Sequence, residues 1–225
     1  MDRYSNQIMR IKNSNMLVIV GMTVGFAVLV GGCASSGYRK SEQTASSLES
    51  SAQRIESDAT QLQQAVATLN DLVNNPQPDL RPQFKKFSAA AGKSGALTKS
   101  IQEADATLQS RSEVYIAEWD KELAAIQNEV IRARGQARKL EVINQCNNVR
   151  NACLTTQTEC APLLSDLNDI QRLLSADLTP GGLAASRDAT ARVNQLAAPV
   201  QNSLGKLVAD MRALGTAMSP QITGK

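Results

Sequence analysis

Residues 45–73 read ASSLESSAQRIESDATQLQQAVATLNDLV. Within them Ala45, Leu48, Ala52, Ile55, Ala59, Leu62, Val66, Leu69 and Val73 recur at alternating spacings of 3 and 4. Residues three and four apart share one face of an α-helix, so this is an a/d seam held over four heptads. Ser, Gln, Glu, Asp and Arg fill most of the intervening positions, as a face turned to water requires. The helix stops at NNPQPDLRP, residues 74–82. There each proline bars its predecessor from the helical region.

The same rhythm runs through the rest of the chain. Leu97, Ile101, Ala104 and Leu108 keep it, and Leu123, Ile126, Val130, Ala133, Ala137 and Leu140 continue it in a shifted phase. A third run holds Val142, Cys146, Val149, Cys153, Thr156, Cys160, Leu163, Leu167, Ile170 and Leu174. LTPGG, residues 178–182, is a strong break. Beyond it lie Val193, Leu196, Val200, Leu204, Leu207, Met211, Leu214 and Met218. No useful length of chain alternates with period two, so no strand is expected. The fold class is all-α: long antiparallel helices in coiled-coil-like, spectrin-like bundle packing, with an elongated variant open. Gly92, Gly95 and Gly135 weaken a helix without ending it. No Pro, Gly-Gly or Asn-Gly stands between 125 and 142, which favours one helix over residues 83–176. That helix would exceed roughly 130 Å. A turn near Gly135 would instead give a compact four-helix bundle.

The N-terminus addresses the chain. Arg3, Arg10 and Lys12 stand against Asp2 alone, and residues 16–30, MLVIVGMTVGFAVLV, carry no charge. That run is shorter than the about 20 residues of a spanning helix and fits a secretory signal. Val30, Gly31 and Gly32 before Cys33 resemble the lipobox of bacterial lipoprotein signals. The resemblance implies cleavage before Cys33, a diacylglyceryl group on its sulfur and, with Ala34 next, the periplasmic face of the outer membrane as address. The alternative is a plain N-terminal anchor with an incidental cysteine. The implied organisation is a signal peptide (1–32), a lipidated tether (33–41), a helical domain (42–218) and a flexible tail (219–225). Removing residues 1–32 leaves 21 basic and 20 acidic residues, a balance that gives no reason to expect nucleic acid.

The blocks AEWDKELAAIQNEV (117–130) and APLLSDLNDIQRLLSADL (161–178) resemble an uncharacterised family of Gram-negative, all-helical lipoproteins known only as a domain of unknown function. The resemblance covers roughly residues 45–215. It implies the helical fold and the lipobox start, and carries over no catalytic residue. This chain departs from that family's pattern in its three internal cysteines.

Reactive chemistry is sparse. Histidine is absent, which removes His-based nucleophilic systems and imidazole metal sites. GKSG (92–95) lacks the upstream glycine and strand of a phosphate loop. Glu118, Asp120 and Glu122 read as a solvated face, and Tyr115 with Trp119 as a packing pair. No catalytic, cofactor or metal residue is expected, and no cofactor. Cys146, Cys153 and Cys160 are seven apart, so their sulfurs lie about 10 Å apart along one helix, too far to pair within it. They are core knobs of the seam, or they bond across a dimer or through local non-helical structure. Lys225, at the end of QITGK, resembles the C-terminal lysine by which a major lipoprotein is joined to peptidoglycan. The expected role is a structural, spacer or protein-interaction module of the envelope. Its partners are the membrane, through the N-terminal lipid, envelope proteins and, as an open option, a second copy. The other classes are a membrane-active or pore-associated protein, a membrane-to-wall tether through Lys225, and an enzyme.

Overall fold

A computed structural model describes residues 36–220, and these form five helices: α1 (Ser36–Asn74), α2 (Arg81–Ser94), α3 (Ala96–Ala125), α4 (Glu129–Ala176) and α5 (Pro180–Met218). Gly95 separates α2 from α3 in helical conformation, with φ −61° and ψ −20°. The two therefore act as one stave of the bundle. Each stave packs on two others: α1 on α5 and α2–α3, and α4 on α5 and α2–α3. The direction of packing is legible from polar pairs. Asp71–Gln83, Asp58–Ser100 and Arg54–Glu103 climb α2–α3 while descending α1. Ser88–Gln171 and Asp105–Arg150 do the same for α4, and Asn70–Asn194 and Gln63–Gln201 for α5 against α1. This is an up-down-up-down four-helix bundle. At 1.5 Å per residue it is about 60–70 Å long.

The seams form the core. Leu48, Ala52, Ile55, Leu62, Leu69 and Val73 of α1 are buried, and Ala45, Ala59 and Val66 pack against them partly exposed. Ala65 and Leu72 are fully buried as well. A strict seam faces one partner, whereas α1 faces two, and the broader stripe is the consequence. Every member of the run from Val142 to Leu174 is buried. In α5, seven of its eight seam residues are buried and Leu196 is partly so. Pro162 and Pro199 lie inside α4 and α5. A proline removes one hydrogen bond and costs a helix about 3 kcal/mol. Packing on both sides of each, at Cys160 and Leu163 and at Val193 and Val200, carries the helix past it.

The single helix over residues 83–176 is not what forms. The chain reverses at residues 126–128. Ile126 turns extended at ψ 118°, and Asn128 caps α4 by accepting from the amides of Val130 and Ile131 at 3.0 and 3.1 Å. Glu129 follows in the first turn, where a carboxylate suits the helix dipole. The signal was Asn128 and Glu129, a cap rather than a breaker. The run Leu123 to Leu140 fails with it. Leu123 is buried, but Val130 and Leu140 are 64% and 52% exposed. Residues 36–41, expected as part of a tether, are helical instead, with Ser41 and Thr44 buried and their hydroxyls donating to the carbonyls of Tyr38 and Lys40.

Two polar side chains, the buried Gln83 and the exposed Thr179, hold the other turns. Gln83 donates to Asp71 Oδ2 at 2.8 Å and the Asn75 carbonyl at 3.1 Å, and accepts from the Gln77 amide at 3.0 Å. Thr179 caps α5 by accepting from the Gly182 amide. A side chain at Gly182 would collide with the Asp177 carbonyl, whereas Gly205, in the same helix, faces open space. Gly182→Ala is expected to cost about 1–3 kcal/mol through forced backbone movement. Gly205→Ala should gain about 0.5–1 kcal/mol. Thermal melts of the two variants should therefore shift in opposite directions, and a shared direction would refute the close approach at Gly182.

Candidate functional site

Three places gather unusual side chains: the cysteine stripe of α4, the end of the α3–α4 hairpin, and the open troughs between helices. The stripe is built by the heptad itself. Cys146, Cys153 and Cys160 are 4%, 1% and 0% exposed and all are free thiols. They occupy the core face of α4 with Val142, Val149 and Leu163. Burial pushes the Cys146 thiol up to about 11, Cys153 to about 12 and Cys160 to about 11. Beside Cys153 the charge of Asp105 adds to burial and Arg150 opposes it. A neutral, enclosed thiol is a poor nucleophile. In this structure the stripe is a set of small apolar knobs.

The hairpin end holds the aromatic pair and a buried cation. The rings of Tyr115 and Trp119 lie 5.3 Å apart, tilted by 42°. Burial raises the Tyr115 phenol, and Arg138 pulls it back. Lys139 has only 8% of its side chain exposed and forms an ion pair with Asp120, one residue beyond Trp119. Asp120 is therefore not merely part of a solvated face. Its carboxylate compensates an ammonium that the fold hides. The buried lysine was not legible, because it stands where the shifted seam placed its neighbour Leu140 at the core. Glu118 lies 3.2 Å from Lys121 across an exposed turn. Arg138 donates to Glu141 and to the Ala217 carbonyl at 3.1 Å, tying α4 to the end of α5.

The troughs are open. One of about 880 Å³ runs between α1 and α3, lined by Arg39, Arg54 and Arg111 and by serines such as Ser46 and Ser50. Arg54 is paired with Glu103 at 2.8 Å. Another lies between α4 and α5 and includes Glu159 and Ser203, which hydrogen-bond to each other. Arg54–Glu103 and Glu159–Ser203 join neighbouring helices and Lys206–Asp210 pairs within α5, so these charges do not converge on a reacting centre. Among the described residues no group of three or more His, Cys, Asp or Glu could hold a metal ion. No described helix is long and apolar enough to cross a membrane. Cys33 and Lys225 lie outside the described residues.

Residues 31–220 match the family described as Protein of unknown function (DUF2959). The chain belongs to this family. The match takes in all five helices and the Gly31, Gly32, Cys33 segment before them. No curated protein and no solved structure matches the chain. Family membership thus accounts for the bundle as a unit and assigns chemistry to none of its residues.

The stripe predicts a labelling pattern. At pH 8 the three internal thiols of the native bundle should alkylate slowly, and all three should react at once in denaturant, as read by peptide mass. A reductant-sensitive dimer lost in Cys153→Ala would show an interchain bond instead. Stability follows the same thiols. Their folded values lie above the usual 9.0, so their contribution is complete below about pH 9. It is lost as the pH rises through 9 towards 11–12. Replacing all three by Ala should flatten that alkaline decline in denaturant titrations.

Proposed function

We propose that this member of the DUF2959 family is a lipid-anchored, non-enzymatic spacer or protein-interaction module of the bacterial cell envelope, held at the periplasmic face of the outer membrane through Cys33. The observation that carries the reading is the register of Val30, Gly31, Gly32 and Cys33 after a run of fifteen uncharged residues. The start of α1 at Ser36 supports it. Two residues, Ala34 and Ser35, separate that helix from Cys33, so acyl chains on the cysteine would hold one end of a stiff body about 60–70 Å long close to the bilayer. At about 0.8 kcal/mol per buried methylene, several chains suffice for a stable anchor without a spanning helix.

The bundle supports a mechanical or adaptor role. Its seams are turned inward, ion pairs such as Arg54–Glu103, Arg150–Asp105 and Arg212–Glu56 tie helix to helix, and its troughs are open. The membrane-active or pore-associated alternative asks the amphipathic helices to turn outward. That would expose Leu62, Leu69, Leu97, Leu163, Leu167 and Met211, each less than 2% exposed here.

Cys33→Ser should leave an uncut, unacylated precursor in the membrane. Mass spectrometry of the N-terminal peptide checks it, and normal processing of the variant would overturn the anchor.

A further inference from the structure

The α3–α4 hairpin reaches past the rest of the bundle. The Tyr115 side chain meets that of Ser41, so α3 runs ten residues beyond that level to Ala125 while α1 runs five back to Ser36. On the other side Arg138 bonds to Ala217, one residue from the end of α5, while α4 extends nine residues further to Glu129. The hairpin therefore overhangs α1 by about 7 Å and α5 by about 12 Å. On this overhang Val130 and Ile131 are 64% and 56% exposed, adjacent, and fixed by the Asn128 cap. Among the described residues seven large apolar side chains are exposed, and five of them lie towards this end: Tyr38, Val114, Val130, Ile131 and Leu140. The other two, Leu154 and Leu173, lie further along α4.

We propose that this hairpin tip is a membrane-contact surface, seating Val130 and Ile131 in the same phospholipid leaflet that Cys33 enters. The inference rests on the lipid-anchor reading and adds a second contact to it. The position of the chain commits the occupant. Three residues from Cys33 to Ser36 span at most about 11 Å, enough to cover the overhang, so lipid on Cys33 and the tip reach one plane. A bundle held by that short leash brings its projecting apolar pair to the bilayer before any other described part. Charge agrees. Between 123 and 137 the charged residues are Glu129, Arg132 and Arg134. An apolar tip with a net positive collar suits an anionic headgroup region, where arginines stay at phosphate level while aliphatic side chains go deeper. Arg132 also donates to the Ile126 carbonyl at 3.1 Å, which stiffens the reversal. Two points of attachment fix the tilt of the rod, which one flexible acyl anchor leaves free.

Trp119 is the only tryptophan, which gives a clean probe. The full lipidated protein, with Trp119→Phe and Ile131→Trp, is reconstituted into phosphatidylethanolamine–phosphatidylglycerol vesicles doped with brominated phospholipid. Leu154→Trp and Leu173→Trp in the same background serve as exposed apolar controls, with circular dichroism confirming equal helix content. If Trp119→Phe lowers that content, Trp119→Tyr is the second background. Fluorescence quenching at 131 should exceed both controls several-fold and weaken when Arg132 and Arg134 are both changed to Glu. Equal quenching at the three positions, with acyl mass present on Cys33, overturns the tip contact alone and leaves the anchor standing. Absence of acyl mass on Cys33 overturns the anchor, and quenching at 131 under that condition would uphold the contact without it.

Discussion

Every helix in this bundle must hide an apolar stripe from water against two neighbours at once, with very few large side chains to do it. Phe87 is the one fully buried aromatic among the described residues, and the rest of the core is Leu, Ile, Val, Ala, Met and Cys. Small side chains let backbones approach. A Cβ on Gly215 would stand 3.5 Å from the Ala45 carbonyl oxygen, ordinary contact but no more. A thin core buries little per turn of helix, so the area that offsets chain entropy has to come from length. Helices of 39, 39 and 48 residues are the outcome.

Length brings a problem of register, since heptads slide past each other at nearly constant hydrophobic gain. Polar ties break that degeneracy. Gln83 locks the first turn from a buried position, Asn128 and Thr179 cap the next two helices, and Arg150 holds Asp105 at 2.8 Å across α3 and α4. Arg212 spans Glu49 and Glu56 across α5 and α1. Its ion pairs are half exposed, so each adds little stability. Their value is geometric: they are satisfied in only one alignment of the staves.

The same economy explains the cysteines. A thiol is a small apolar knob with a weak donor, and three of them at heptad spacing let α4 pack closely on its neighbours. Their seclusion also keeps them neutral. Lys139 follows the opposite logic. A hidden ammonium is tolerable only because Asp120 reaches it, and that pair stands beside the aromatic contact just before the hairpin overhangs. Rigidity there is what allows Val130 and Ile131 to be presented in a fixed direction.

Much of this was legible in the chain itself. The periods of 45–73, 142–174 and 193–218, and the breaks at 74–82 and 178–182, name the staves and their inward faces, because burial of a periodic stripe is a local requirement. The thiols could be placed on the seam for the same reason. What the sequence did not reveal lies between 123 and 140. There the period continues on paper, yet the chain reverses at 126–128 and the run is left in solvent. A turn made by a side-chain cap carries no breaker residue, and whether a helical face is covered depends on how far its neighbours extend. Those lengths are set only when all four staves are assembled. The tertiary structure therefore decided the compact bundle over the long rod, the burial of Lys139 and the projecting apolar tip, none of which any one segment encodes alone.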